Sequence, residues 1–425
     1  MLARYTLMNK NKPVLDFSYN LDFHAVTKIL EIHDLRYAPP AILDPRGKVT
    51  RRNLNDWWQR RAIPASRDHI EELLATLRIA TTIQLAEENF GLSLSDRYWF
   101  NDPADPQKWE DINFFDNEFS DELGVMTLGQ SLSQNPNLMS PNSTLGGDLN
   151  KKWKCIDGKR VLLKAGTGLT QQEVLNEEIA TRLFNRILSD DEYVSYQVFH
   201  ENGMIYSACE NMLRDDEELV TAYDIIKTRR KPNDVNDYQF LVNCYKELGL
   251  PDVEQTLEKM FTCDYLLANA DRHYQNFGVI RNVETLEYTR FAPIFDNGTS
   301  LWCRQFQLDY HTEYIAKPFG PYGMKPDRQL ELFHDFSWLD TSKLEGFTGE
   351  IREVLGQNPN IPTERVNLIC AKVDKKIEKV AKRQHEVELE RTPHRSVEAD
   401  IARKQEEAHQ RNNEVTQADH DSRIR

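Results

Sequence analysis

The chain has no hydrophobic run that approaches the ~20 residues needed to cross a membrane. Its N-terminus, MLARYTLMNK, also lacks the apolar core of a signal peptide. We therefore expect a protein with no membrane partner. A basic surplus is missing as well, since the formal net charge is −15. General nucleic-acid binding needs clustered cations to neutralise phosphates, so we expect none here.

Cysteine motifs and paired histidines are also absent. The six cysteines are scattered, and no two of them have the C-x-x-C spacing of zinc or redox sites. No two of the eleven histidines are four positions apart, as ligands on one helical face would be. These absences argue against a dedicated transition-metal site and favour free thiols in a reducing cytoplasm.

What is present is an ordinary globular composition, with 425 residues, 40% of them hydrophobic and 28% charged. The pattern divides into an N-terminal accessory domain (1–130), a small sheet-rich lobe (131–213), a larger helical lobe (214–385) and a charged tail, helical or disordered (386–425). A linker rich in Ser, Asn, Pro and Gly, at about 129–147, precedes the small lobe.

Local signals within the accessory domain predict both strands and helices. Residues 1–20 are typical of two strands around the turn NKNKP, whereas residues 24–33 and 53–90 have a largely helical pattern. Ser66 is the predicted N-cap of a helix in the second stretch. Further along, Asp157-Gly158 and Asn202-Gly203 each predict a tight hairpin in the small lobe.

The most informative stretch is residues 268–300, which read ANADRHYQNFGVIRNVETLEYTRFAPIFDNGTS. Asp271 and Asn276 form a D-x-x-x-x-N loop, and two predicted strands (277–280 and 291–295) lead to Asp296. A hairpin of these strands would bring Asp296 back beside the loop. A protein-kinase site needs one carboxylate beside the attacking hydroxyl, and an Asn oxygen and a second carboxylate on Mg²⁺. The stretch as a whole therefore predicts phosphoryl transfer, whereas D-x-x-x-x-N alone would favour a polar hairpin with capping Asp and Asn residues.

A lysine upstream fits the same chemistry. Lys164 ends an apolar strand and is followed by a predicted helix that carries Glu177 and Glu178. In kinases a strand-borne lysine grips the α- and β-phosphates and pairs with a glutamate of that helix. We prefer Glu177 as the partner. The alternative is a lysine that reaches solvent beside an ordinary exposed Glu pair.

Two further segments are candidates for nucleotide contacts. Ser143-Thr144-Leu145-Gly146-Gly147 precedes the first small-lobe strand, and its adjacent glycines would let backbone N–H groups approach phosphate. A plain linker turn is the alternative. Cys209-Glu210-Asn211-Met212 ends the last small-lobe strand, where a hinge would meet adenine, so Glu210 and Met212 are candidate binding residues.

These residues together resemble the HipA-like serine/threonine kinases of bacteria and phages. The resemblance covers about 138–385 and rests on NADRHYQNFGVI, APIFDNG, the Lys164 strand and the STLGG loop. It implies a bilobal protein-kinase-like α+β fold behind an N-terminal α/β accessory region, ATP and Mg²⁺ as cofactors, and a protein Ser/Thr substrate. Several family members are toxins of toxin–antitoxin pairs that act on the translation machinery. A translation factor as substrate and a cognate antitoxin are therefore implied partners.

Carried over by position, the resemblance also implies residue roles. Asp271 would be the catalytic base, Asn276 and Asp296 the Mg²⁺ ligands, and Lys164 the phosphate grip. Ser143 would be a site of self-phosphorylation, with Ser140 and Thr144 as neighbouring alternatives.

The sequence departs from eukaryotic kinases in two places. Arg272 and His273 follow the catalytic Asp, as in lipid kinases, and Asp296 is followed by Asn-Gly rather than Phe-Gly. Two other functions therefore remain open, a kinase for a lipid or small molecule and a nucleotide-binding pseudokinase that serves as a partner-binding module. The intact set of Lys164, Asp271, Asn276 and Asp296 argues against the pseudokinase.

Overall fold

The computed structural model describes residues 1–130 and 135–390 and shows a mixed α+β chain. Its described strands form three antiparallel sheets, two of four strands and one of three. In the described part of the chain, no helix combines the length and the apolar character that crossing a membrane requires.

The first sheet belongs to the N-terminal region. Its strands are β1 (Leu2–Asn9), β2 (Lys12–Asn20), β3 (Ala25–Ile32) and β4 (Tyr98–Asn101), in the order β3-β2-β1-β4. The helices of this region are α1 (Arg51–Gln59), α2 (Ile70–Leu77), α3 (Ile83–Glu88), α4 (Trp109–Ile112) and α5 (Glu122–Thr127). Helix α1 packs on the sheet through Trp58, whose ring stacks on Phe100 with the centroids 3.9 Å apart.

Two local predictions for this region are wrong. Residues 24–33 have apolar side chains at helical spacing, yet 25–32 form the edge strand β3, because β2 offers an unpaired edge whose hydrogen bonds outweigh a weak helical preference. Ser66 does not cap a helix, because α2 begins four residues later behind His69, which has a φ of +65°. The Ser66 hydroxyl instead donates to Asp148 Oδ1 at 3.1 Å.

The second sheet follows the linker and confirms the two predicted hairpins. Its strands are β5 (Lys151–Ile156), β6 (Lys159–Ala165), β7 (Gln197–Glu201) and β8 (Met204–Glu210), in the order β5-β6-β8-β7. Both hairpin turns, at 157–158 and 202–203, have positive φ at their two central residues, as two-residue turns with this twist require. Helix α6 (Gln172–Ile187) connects β6 to β7.

The third sheet and most of the helices form the remainder. The strands are β9 (Glu217–Thr221), β10 (Gly278–Asn282) and β11 (Tyr288–Phe291), with β10 in the middle. The helices are α7 (Ala222–Lys227), α8 (Asp237–Glu247), α9 (Val253–Leu267), α10 (Pro326–Leu330), α11 (Phe347–Gly356) and α12 (363–390). They enclose the largest hydrophobic core, which also takes in the inner face of α6.

The predicted hairpin after residue 276 is confirmed with shifted bounds, and it positions the site. Helix α9 ends at Leu267, the polar loop 268–277 follows, and the β10–β11 hairpin returns the chain to residue 296. The predicted tail is helical as far as residue 390, and its remainder, 391–425, lies outside the described residues.

Candidate active site

A cleft of about 810 Å³ brings together most of the residues singled out from the sequence. The second sheet forms one wall, and the loop after α9 and residues 295–299 form another. The N-terminal region contributes a third wall, which the sequence did not predict. The chemically relevant lining residues are Gly146, Gly147, Asp148, Lys151, Lys164, Asp271, His273, Asn276, Asp296 and Arg304.

Lys164 is the centre of a buried ion-pair network. It is on β6, and its ammonium lies 2.9 Å from Glu177 Oε1 on α6 and 2.6 Å from Asp296 Oδ1. Burial alone would lower the pKa of Lys164, but the carboxylates of Asp296 and Glu177 outweigh it and hold that pKa well above its usual range. Lys164 is therefore a permanent cation in the cleft.

Asp296 is held as a carboxylate in a strained backbone position. Its φ is +61°, a left-handed conformation that a non-glycine residue adopts only where its surroundings impose it. Burial opposes its ionisation, but the nearby ammonium groups of Lys164 and Lys151 outweigh this and keep the carboxyl pKa well below its usual range. The next backbone N–H, that of Asn297, donates to Glu177 Oε2 at 2.9 Å, so one glutamate orients both the lysine and the Asp296 turn.

Arg272 explains the order of residues in the catalytic loop. Its side chain is fully buried, and it pairs with Asp264 of α9 at 2.9 Å. It also donates to the backbone carbonyls of Asn276 (2.8 Å) and Phe295 and to Asn297 Oδ1 (2.6 Å). The guanidinium thus ties the 271–276 loop to the 295–297 turn. The Asp-Arg-His order thus places a scaffolding arginine directly after Asp271.

Asp271 faces the cleft beside a cation from a distant segment. Lys317, in the long loop between β11 and α10, places its ammonium 2.9 Å from Asp271 Oδ1. The neighbouring His273 also lines the cleft, where burial lowers its imidazole pKa, which favours the neutral ring at neutral pH.

The oxygen donors of the cleft suit Mg²⁺. The Asn276 side-chain amide donates from Nδ2 to the Asp271 carbonyl at 2.9 Å, which leaves its Oδ1 available as a ligand. The second Asp296 oxygen, Oδ2, makes no hydrogen bond or ion pair within the described residues. A carboxylate and an amide oxygen are the ligands that Mg²⁺ takes when nucleotide phosphates and water complete its shell. Asn276 and Asp296 therefore fit the predicted ligand pair.

The glycine loop reaches the cleft, but the residues that precede it do not. Gly146, Gly147 and Asp148 line the cleft. Ser143 and Thr144 are buried in a short 3-10 helix (Pro141–Thr144), where the Ser143 hydroxyl donates to the Leu138 carbonyl at 2.7 Å. Phosphorylation of Ser143 requires this segment to unfold locally, and it stays a prediction.

The two candidate hinge residues differ in position. Met212 packs against the buried cluster of Val194, Tyr196 and Cys209, as do Leu162 and Phe295, which line the cleft; Met212 is not among the lining residues. Glu210 is exposed and pairs with Lys159 on the sheet surface, so the structure does not bring its side chain to the site.

Three cationic side chains at or beside the site escaped the sequence reasoning. Lys151 lies opposite Lys164 in the β5–β6 register and lines the cleft. Arg67 and Lys317 come from segments far away along the chain. Only Lys151 had a local signal, since it stands at the start of a predicted strand, four positions after the second of the paired glycines.

The arrangement can bind a polyphosphate, hold a divalent cation on Asn276 and Asp296, and present the Asp271 carboxylate to a hydroxyl group.

No family model and no curated protein matches the chain. Among solved structures, it is similar to the crystal structure of CtkA, a proinflammatory kinase of Helicobacter pylori. The TM-score is 0.44 and the sequence identity 17%, over 56% of this chain and 94% of that one. A similarity of this extent does not by itself establish a fold or an activity for this chain.

Proposed function

We propose that this protein is an ATP- and Mg²⁺-dependent serine/threonine protein kinase of the HipA type. The observation that supports it is the Lys164–Glu177–Asp296 network in one cleft with Asp271 and Asn276. Lys164 and Glu177 pair through buried side chains, and the buried Arg272 ties the loop that carries Asp271 and Asn276 to the turn that carries Asp296.

In the proposed reaction the acceptor hydroxyl oxygen forms a bond to the γ-phosphorus as the bond to the β,γ-bridging oxygen breaks. The hydroxyl proton passes to the Asp271 carboxylate, and ADP leaves with the electrons of the broken bond. Lys164 grips the non-transferred phosphates, and Glu177 fixes Lys164. Mg²⁺ bound to Asn276 and Asp296 would neutralise charge on the phosphates.

Two substitutions test the proposal. Asp271→Asn should abolish transfer while Mg-ATP binding persists, because the carboxylate contacts the acceptor rather than the nucleotide. Asp296→Asn should abolish transfer and also weaken Mg²⁺-dependent ATP binding. The measurements are transfer from γ-labelled ATP to a cell extract and calorimetric titration with Mg-ATP. Turnover at the wild-type rate in both variants, or the absence of Mg-ATP binding to the wild type, would contradict the proposal.

Reactions with the same labelled ATP also show whether the acceptor is a protein, a lipid or a small molecule. Parallel reactions contain proteins of a cell extract, phospholipid vesicles or a pool of small metabolites. Label on Ser or Thr of a protein, lost in Asp271→Asn, supports the protein kinase. Label confined to lipid or to a small molecule would replace it with the alternative kinase class.

The HipA-like resemblance extends the proposal to growth inhibition through a component of the translation machinery. Expression of the wild type in bacterial cells should arrest growth, whereas Asp271→Asn should not. Co-expression of a cognate antitoxin, if its gene adjoins this one, should restore growth. Equal growth with both forms would remove the toxin role and leave the kinase proposal intact.

A further inference from the structure

The glycine loop is fastened to the N-terminal region by a buried arginine. Arg67 lies between α1 and α2 and is 3% exposed. Its Nη2 donates to the carbonyls of Leu145 (2.5 Å) and Gly147 (2.6 Å), and its Nε donates to Gly147 at 3.1 Å. Burial lowers the pKa of this guanidinium to about 10, so it remains charged at neutral pH. Charge-assisted bonds to two carbonyls of one short loop fix how its peptide planes are turned.

The start of the same loop is attached to the same region. Asn89 Nδ2 donates to the Ser140 carbonyl at 2.9 Å, and the Thr144 hydroxyl donates to the Leu92 carbonyl. Beyond the glycines, Ser66 donates to the Asp148 carboxylate at 3.1 Å. The N-terminal region therefore holds residues 140–148 at both ends, with Arg67 at the part that faces the cleft.

Because Arg67 holds the loop carbonyls, the backbone N–H groups on the other side of the loop are free to bind a ligand. In the described residues, no acceptor receives the backbone N–H of Gly146, Gly147 or Asp148. All three residues line the cleft. Successive N–H groups without partners in a turn form an anion-binding concavity, and turning the carbonyls toward Arg67 removes their repulsion from an incoming phosphate.

We propose that Arg67 is a positioning residue for the nucleotide phosphates, and that residues 1–130 are thereby an integral part of the ATP site. The inference rests on the proposed kinase function. Arg67 acts through the loop backbone, without touching the nucleotide. The Arg67 Nη1 has no partner among the described residues, and the other two guanidinium nitrogens donate only to carbonyls of the loop.

The test compares Arg67→Lys, Arg67→Ala and Arg51→Ala. Lysine keeps the charge but lacks the fork that reaches two carbonyls at once. Arg51, an exposed arginine at the start of α1, makes no hydrogen bond or ion pair with the loop within the described residues and serves as the control. Calorimetric titrations use Mg-ATP and, separately, adenosine, which has no phosphate.

The expected result is a loss of Mg-ATP affinity of about tenfold in Arg67→Lys and more in Arg67→Ala, on the scale of one charge-assisted hydrogen bond. Adenosine affinity should stay the same, because adenosine carries no phosphate for the loop N–H groups to bind, and Arg51→Ala should match the wild type for both ligands. A general loss of structure would instead weaken both ligands together.

Three results would overturn the inference. They are unchanged Mg-ATP affinity in Arg67→Lys, equal losses for Mg-ATP and adenosine, and failure of Arg67→Lys to fold, which would assign the residue to global stability. If the kinase proposal itself is wrong, the wild type binds no Mg-ATP and transfers no phosphate. That result differs from a failure of the Arg67 inference, in which the wild type still binds Mg-ATP.

Discussion

The ammonium of Lys317 lies 2.9 Å from Oδ1 of Asp271, although the two residues are 46 positions apart. The Lys317 backbone carbonyl accepts from Gln329 Nε2 at 2.9 Å, and its neighbour Ala316 is bridged to Met324. The long loop after β11 thus places a cation beside the proposed base. A cation there can orient the Asp271 carboxylate and stabilise charge on the transferred phosphoryl group.

We expect Lys317→Ala to lower kcat on the order of 10²-fold, the usual loss when one group that stabilises the transition state is removed. KM for ATP should change little, because the non-transferred phosphates are gripped by Lys164. Lys317→Arg should recover part of the activity. Steady-state kinetics of each variant provide the measurement.

The matched control is Lys325→Ala, which removes an exposed lysine from the same loop. Its kinetics should equal those of the wild type. A loss in Lys317→Ala that appears only in KM, or an equal loss in Lys325→Ala, would contradict the role given to Lys317.

The two adjacent glutamates of α6 offer a second matched pair. Glu177 is 2% exposed and contacts Lys164 and the Asn297 N–H, whereas Glu178 is partly exposed and pairs with Arg182. We expect Glu177→Gln to lower kcat/KM by about tenfold or more and to reduce Tm, because it leaves a buried ammonium with one carboxylate charge fewer. Glu178→Gln should change kcat/KM and Tm little, since ion pairs that water reaches contribute at most about 1 kcal/mol to the free energy of unfolding. Equal effects of the two substitutions would contradict the assignment of Glu177.

The parts of the site that the sequence predicted are those with local signals. The 271–276 loop, the hairpin to Asp296 and the lysine-bearing strand each combine a motif with a short-range turn or strand pattern. Lys317 and Arg67 have no such pattern, because their roles come from contacts 46 and 80 residues away along the chain. No spacing rule connects positions so far apart.

The wrong fold predictions have a similar origin. The apolar spacing of residues 25–32 suits a helix, but the open edge of β2 decided the structure of that segment. The Ser-Thr-Leu-Gly-Gly stretch was predicted as one phosphate loop. It divides instead into a buried 3-10 turn and an exposed glycine turn, because Ser143 and Thr144 find carbonyl partners in neighbouring segments.

The two glycines of the loop should differ sharply when replaced by alanine. Gly147 has a φ of +91°, which strains any residue with a side chain, and an added methyl group would also push the flexible Lys151 ammonium aside, whereas a methyl group at Gly146 meets no atom within 4 Å. We expect Gly147→Ala to lower the free energy of unfolding by about 1–3 kcal/mol and to weaken Mg-ATP binding. Gly146→Ala should change the free energy of unfolding by less than about 0.5 kcal/mol. Denaturant titration of both variants measures the two free energies of unfolding. Equal destabilisation would contradict the loop geometry.

Lys151 should give nucleotide binding a distinctive pH dependence. Burial, together with the repulsion of the Lys164 ammonium, lowers the pKa of Lys151 to about 8 even though Asp296 acts in the opposite direction. Phosphates prefer the charged form, so Lys151 is fully protonated and binding is strongest below pH 7, and affinity falls as pH rises through 8. Between pH 7 and pH 9 the Kd for Mg-ATP should rise about tenfold, with uptake of close to one proton on binding at pH 9.

The control for this pH dependence is Lys151→Arg, which keeps the positive charge across the whole range because arginine does not titrate there. Lys164 does not contribute in this window, because its carboxylate partners hold its pKa well above the usual range. Calorimetry in two buffers of different ionisation enthalpy measures both Kd and proton uptake, and comparison of the two proteins cancels the titration of the nucleotide itself. We expect the rise in Kd and the proton uptake in the wild type only. The same slope in both proteins would show that another group titrates and that Lys151 does not contact the phosphates.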